Sequence, residues 1–158
     1  MWSELLENLR TQVETASTGA AKVQALYRVA GLEEDKLGDP EAAIETYREV
    51  LALDPDFEDA LTALERIARD EAYRAPAVAV LEPLHEAAGR WDRLVGIREL
   101  RLQAMLDPRE RIDLLRSIAS IHESARASPS GAFNAYVRAL AEDPGDESLI
   151  GELERLST

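Results

Sequence analysis

The sequence predicts an all-α repeat protein of about nine antiparallel helices, and three observations carry that prediction. Apolar residues recur at three- and four-residue spacing almost throughout, with no sustained period-two alternation. Breaks rich in Gly, Pro and Asp separate these stretches, and connections of two to five residues imply antiparallel neighbours. The chain also aligns on itself without a gap when shifted by 89 residues, which marks a solenoid built from repeated units.

The first helix is expected from about Trp2 to Ala16, with Leu5, Leu6, Leu9 and Val13 on one stripe. A Ser-Thr-Gly turn at residues 17–19 precedes a second helix carrying Val23, Leu26, Tyr27, Ala30 and Leu37. Gly38-Asp39-Pro40 closes it: glycine suits a left-handed cap, Asp39 can cap the next helix, and proline suits a first turn. The third helix then spans about Pro40 to Leu53 and stops at Asp54-Pro55, and a fourth follows from about Phe57 to Asp70. A fifth opens near Ala75-Pro76 and ends at Gly89, with a kink expected at Pro83. The sixth runs from Trp91 to about Leu106. The last three occupy about Arg109–Ala125, Pro129–Glu142 and Asp146–Leu156.

The self-alignment sets the domain organisation. Trp2 falls on Trp91, Leu26 on Leu115, Ala30 on Ala119, Pro40 on Pro129, Ala43 on Ala132 and Tyr47 on Tyr136. Asp54-Pro55 meets Asp143-Pro144, Leu64-Glu65-Arg66 meets Leu153-Glu154-Arg155, and Glu34 and Glu58 meet Glu123 and Glu147. Residues 1–89 therefore read as a five-helix unit and residues 90–158 as a second unit lacking its fifth helix, in one continuous solenoid.

A shorter rhythm lies inside the unit. Between Gln24 and Phe57 come Tyr27, Ala30-Gly31, Ala43, Tyr47, Val50 and Asp54-Pro55. This resembles the 34-residue tetratricopeptide repeat, with Gly31 in its glycine slot, Ala43 in its small-residue slot, Tyr47 in its aromatic slot and Pro55 as its closing proline. Small Gly31 and Ala43 suit a close helix crossing, and Tyr47 suits packing toward the next helix pair. The second copy keeps Ala132, Tyr136 and Pro144 but carries Ser120 at the glycine slot. The chain looks like the long tetratricopeptide-type repeat proteins of GC-rich bacteria, a likeness matched by its 16 Arg against two Lys. The resemblance implies a right-handed α-solenoid, a TPR-like superhelix. Five helices per unit is an odd number for a family that alternates two helix types. Either equivalent helices of the two units lie on opposite faces, or a helix near residues 57–88 breaks the alternation.

Composition narrows the function. The 158 residues include no cysteine, which excludes disulfide scaffolds and Cys-ligated zinc. A formal charge of −13 argues against nucleic acid, because phosphates reward clustered Lys and Arg. No apolar run approaches the roughly 18 residues of a spanning helix, and the N-terminus lacks a signal-peptide core, so no membrane partner and a cytoplasmic location are expected.

No catalytic, cofactor-binding or metal-binding residue is expected. His85 and His122 stand on separate helices without metal-ligand spacing, and each reads as a partly exposed helix residue. Nucleophile and phosphate-loop signatures are absent. Trp2 and Trp91, at the starts of equivalent helices, read as packing residues rather than peptide platforms. The stretch from Glu33 to Asp59 holds 11 acids against Lys36 and Arg48, a solvated face in the simplest reading and a surface that steers a basic segment in the sharper one.

The leading expectation is a non-enzymatic scaffold that binds a protein, as a peptide or a partner helix. If the family's geometry holds, the groove-facing candidates are Arg28, Asp35, Asp59, Thr62, Arg66 and Arg69. Family members that clamp acidic chaperone tails carry Asn just after the glycine slot. Leu32 and Ile121 stand there, which argues against that subset. Two alternatives remain open. One is a structural segment of a longer array with end-to-end self-association. The other is a helical sensor domain for a small ligand or signalling peptide.

Overall fold

The computed structural model describes all 158 residues as nine α-helices. They are α1 (Trp2–Thr15), α2 (Gly19–Asp35), α3 (Pro40–Leu53), α4 (Glu58–Ile67), α5 (Arg74–Ala87), α6 (Trp91–Ala104), α7 (Pro108–Ser124), α8 (Pro129–Glu142) and α9 (Glu147–Ser157). The chain is thus an all-α helical repeat. It forms two compact units, Met1–Leu84 and His85–Thr158.

Helix boundaries repeat at the 89-residue offset: α6, α7 and α8 match α1, α2 and α3 at both ends, and α9 starts where α4 does. Side-chain caps explain why. Asp39 accepts the Ala42 N–H at 3.0 Å and Ser128 accepts the Gly131 N–H at 3.3 Å, each just ahead of a proline at the first helical position. Asp54 and Asp143 close α3 and α8, and each carboxylate takes the N–H two residues on at 3.1 Å. Gly38 adopts φ +62°, the left-handed conformation expected of it.

In the first unit α2 packs on α1 and α3, and α3 on α4. Leu9, Val29 and Leu32 form a cluster between α1 and α2, with Leu6 and Val13 at its edge. In the second unit Leu115, Ile118, Ala119, Ala132, Tyr136, Ala139 and Leu149 form the centre of one core across α7, α8 and α9. Each fully buried Leu or Ile contributes about 1.5–3 kcal/mol, so these clusters, rather than helix propensity, hold the units.

Several local expectations need correction. A Cβ at Gly31 would meet nothing within 4 Å, so this glycine marks no close helix crossing and Ser120 is accommodated in the second unit. The tight approach is instead at Gly131, where a Cβ would lie 2.5 Å from Nδ1 of His122. His85 is fully buried rather than partly exposed. Trp2 stays exposed, with Lys36 Nζ 5.5 Å above its ring. The fourth helix stops at Ile67 because the Arg74 guanidinium donates to the carbonyls of Ala68 and Arg69, at 3.0 and 3.1 Å, and turns the chain there. Pro83 lies inside α5, whose bounds are Arg74–Ala87.

Candidate interaction surface

Five of the six candidates lie on two helices of the first unit: Arg28 and Asp35 on α2, and Asp59, Thr62 and Arg66 on α4. Residues 59, 62 and 66 share one face of α4, as 28 and 35 share one face of α2. Arg69 sits in the turn after α4, where its backbone carbonyl holds Arg74. All six are exposed. Thr62 Oγ1 donates to Glu58 on its own helix at 3.3 Å.

The two helix faces are joined by Glu34, whose own role the sequence reading missed. Its carboxylate accepts the Tyr47 hydroxyl at 3.0 Å and pairs with the Arg66 guanidinium, linking α2, α3 and α4. Burial, and then the Glu34 charge, push the Tyr47 phenol well above the ordinary tyrosine range. The hydrogen bond to Glu34 likewise raises Arg66. The second unit repeats the arrangement at the same offset: Tyr136 donates to Glu123 at 3.3 Å, and Arg155 donates to Glu123 at 2.6 Å. The recurring Leu-Glu-Arg is thus a clip between helices. Its signal was available, because Glu34, Tyr47 and Arg66 all recur unchanged 89 residues on. Arg66 spends part of its donor fork on this clip, and the rest of it faces solvent.

Around the clip the units diverge. Tyr27 packs against Tyr47 at 6.0 Å between ring centroids and edge-on against Phe57 at 5.3 Å. At the positions of Tyr27 and Phe57 the second unit has Arg116 and Asp146, joined at 3.0 Å. The N–H of Leu149, followed by Arg116, draws the Asp146 carboxyl below the usual range.

A second concavity of the first unit lies between α1, α2 and α3. This cavity of about 220 Å³ is lined by Arg10, Val13, Glu14, Leu26, Val29, Thr46 and Glu49. Beside it Glu33, 2% exposed, accepts from the Thr46 hydroxyl at 2.6 Å and from Arg10 at 3.1 Å. The matching seam of the second unit holds a bidentate Arg138–Glu99 pair at 2.7 and 2.8 Å. There His122 replaces Glu33. Burial and then the Arg126 guanidinium lower its pKa. Trp91 lines an open cleft of about 530 Å³ with Gly89, Arg90, Asp92, Arg93, Ala125 and Arg126.

Charge is concentrated in the first unit. Residues 1–84 hold 18 acids against 8 bases, net −10, and residues 85–158 hold 13 against 10, net −3. Two of the 11 acids between Glu33 and Asp59 are turned inward, Glu33 and Glu34, and no group of three or more His, Asp or Glu side chains is arranged to hold a metal ion. No helix is long and apolar enough to cross a membrane.

Among known families, the tetratricopeptide repeat model matches residues 34–61, from Glu34 through α3 into α4. No curated protein and no solved structure matches the chain.

Proposed function

We propose that this chain, whose residues 34–61 match the tetratricopeptide repeat model, is a non-enzymatic protein–protein interaction scaffold whose first unit binds a basic peptide or partner helix across α2 and α4. One observation carries the proposal. The Glu34–Arg66 clip fixes two helix faces side by side, and the exposed Arg28, Asp35 and Asp59 on those faces make no hydrogen bond or ion pair within the fold. A net charge of −10 on that unit favours encounter with a basic segment and makes the interaction sensitive to salt. The matched segment, residues 34–61, covers Asp35 and Asp59 and lies within this region.

The test is a random 15-mer peptide library selected on the full chain, followed by anisotropy titration of the enriched peptides. The expected result is enrichment of Lys- and Arg-rich peptides whose affinity falls about tenfold in an Asp35→Lys, Asp59→Lys double variant. Enrichment of acidic peptides, or binding indifferent to the double variant, would refute the assignment.

A further inference from the structure

The seam between α1, α2 and α3 is open in the first unit, and its counterpart in the second is bridged by a guanidinium. In the first unit a cavity of about 220 Å³ has an apolar floor of Val13, Leu26 and Val29, with Arg10, Glu14 and Glu49 exposed around it. Arg10 does not cross this opening to Glu49. Its guanidinium is held at 3.1 Å by Glu33, which is buried and bonded to the cavity residue Thr46. Glu14 and Glu49 make no hydrogen bond or ion pair within the fold.

The second unit shows the group that is missing. At the counterparts of Arg10 and Glu49, 89 residues on, stand Glu99 and Arg138. They join α6 to α8 as a bidentate pair at 2.7 and 2.8 Å. Below them Val13 and Val29 have become the larger, buried Leu102 and Ile118, and Glu14 has become the uncharged Gln103. A guanidinium on an aliphatic stem therefore spans that seam over a fuller apolar floor.

We propose that the α1–α3 cavity of the first unit binds an alkylguanidinium group from outside the chain, in the place where Arg138 spans the second unit. The volume lies below the roughly 300–1,000 Å³ of a drug-sized ligand site, so the occupant is one extended side chain or a molecule of that size. Its methylene stem lies on Val13, Leu26 and Val29 while its planar fork meets the Glu49 carboxylate and leaves donors for Glu14. An ammonium offers the same charge without the fork. No residue of α4 lines this cavity, so the proposal does not rest on the α2–α4 reading.

Two probes are titrated into the intact, ¹⁵N-labelled chain at about 0.15 M salt, where distant charges are screened. They are n-butylguanidinium, a free small molecule, and a blocked Gly-Gly-Arg-Gly-Gly peptide, an arginine side chain on a backbone. Saturable amide shifts are expected around residues 10–14, 26–29 and 46–49. Affinity should fall about threefold to tenfold in Glu49→Gln. Glu49→Arg, which supplies the second unit's residue, should abolish binding. Position 49 is exposed, so both variants should keep the parent's circular dichroism. The Asp35→Lys, Asp59→Lys variant should bind both probes as the parent does, which separates this cavity from the α2–α4 surface. Tighter binding of the peptide assigns the group to a partner's arginine, and tighter binding of n-butylguanidinium to a free small molecule. Failure of both probes to saturate, equal binding of the neutral n-butylurea, affinity unchanged by Glu49→Gln, or shifts centred on α4 would each overturn the proposal.

Discussion

Ala127→Gly should stabilise the second unit, and the structure supplies both the magnitude and the control. Ala127 is the one non-glycine residue with positive φ, at +45°, and Gly38, its counterpart, sits at +62°. Both close the same turn: the Asp39 N–H donates to the Glu33 carbonyl at 2.9 Å, and the Ser128 N–H to the His122 carbonyl at 2.7 Å. A side-chain-bearing residue in the left-handed region costs about 1–2 kcal/mol. Glycine returns about 0.5–1 kcal/mol of that through the freedom of the unfolded chain. The net gain expected for Ala127→Gly is therefore about 0.5–1 kcal/mol. Gly38→Ala should lose a similar amount, because a Cβ there meets nothing within 4 Å and only the backbone is at issue. Urea unfolding in a Trp2→Phe background, read from Trp91, should show a raised midpoint at unchanged slope. If the second unit melts on its own, a gain of 1 kcal/mol corresponds to about 4–8 °C. A neutral or destabilising Ala127→Gly, with Gly38→Ala also neutral, would refute the reasoning by showing that the turn stores no strain.

Thr46→Val should destabilise the first unit by about 1–3 kcal/mol in chemical unfolding, because the buried Glu33 carboxylate loses its 2.6 Å hydroxyl partner. Gly131→Ala should cost about 1–3 kcal/mol by forcing a methyl into the His122 ring, and adding His122→Ala should recover most of the loss in a double-mutant cycle. The second unit should also lose stability as pH falls below about 6.5, the unfolded pKa of histidine. His122 titrates lower when folded, through burial and Arg126 and despite Glu99 and Asp92, so the unfolded chain takes up the proton first. Stability should be full above that pH, and His122→Gln should flatten the acid limb of midpoints measured from pH 7 to 5.

Local punctuation made the helices legible. α3 and α8 begin and end as read, because Asp39-Pro40 and Ser128-Pro129 open them and Asp-Pro pairs close them, all signals contained within a few residues. Failures came where a distant side chain decides the outcome. Nothing near Ile67 announces that Arg74 will take the carbonyls after it. His85 and Glu33 look like solvated helix residues, yet both are buried. The clip was visible in one dimension as three recurring polar residues, but recurrence does not say that residues 34, 47 and 66 meet. Gly31 shows the opposite error, since the family's slot suggested a close crossing that this backbone does not make.

What recurs and what changes between the units separates scaffold from surface. Of the six candidates only Arg66 recurs, as Arg155, and it is the one whose side chain ties one helix to another. Arg28, Asp35, Asp59, Thr62 and Arg69 become Ser117, Ser124, Ser148, Gly151 and Thr158, which strips the second unit of charge at the four charged places. Nearby, an aromatic cluster becomes the Arg116–Asp146 pair, and at the seam Arg10 and Glu49 become Glu99 and Arg138, which pair with each other, while His122 stands in place of Glu33. The Arg116–Asp146 and Arg138–Glu99 pairs are partly exposed, and ion pairs of that kind contribute little to stability, so these exchanges leave the helix packing intact while altering what a ligand meets. The clip and the caps hold the backbone constant while the intervening positions vary, and it is the varied positions, not the recurring ones, that can distinguish one partner from another.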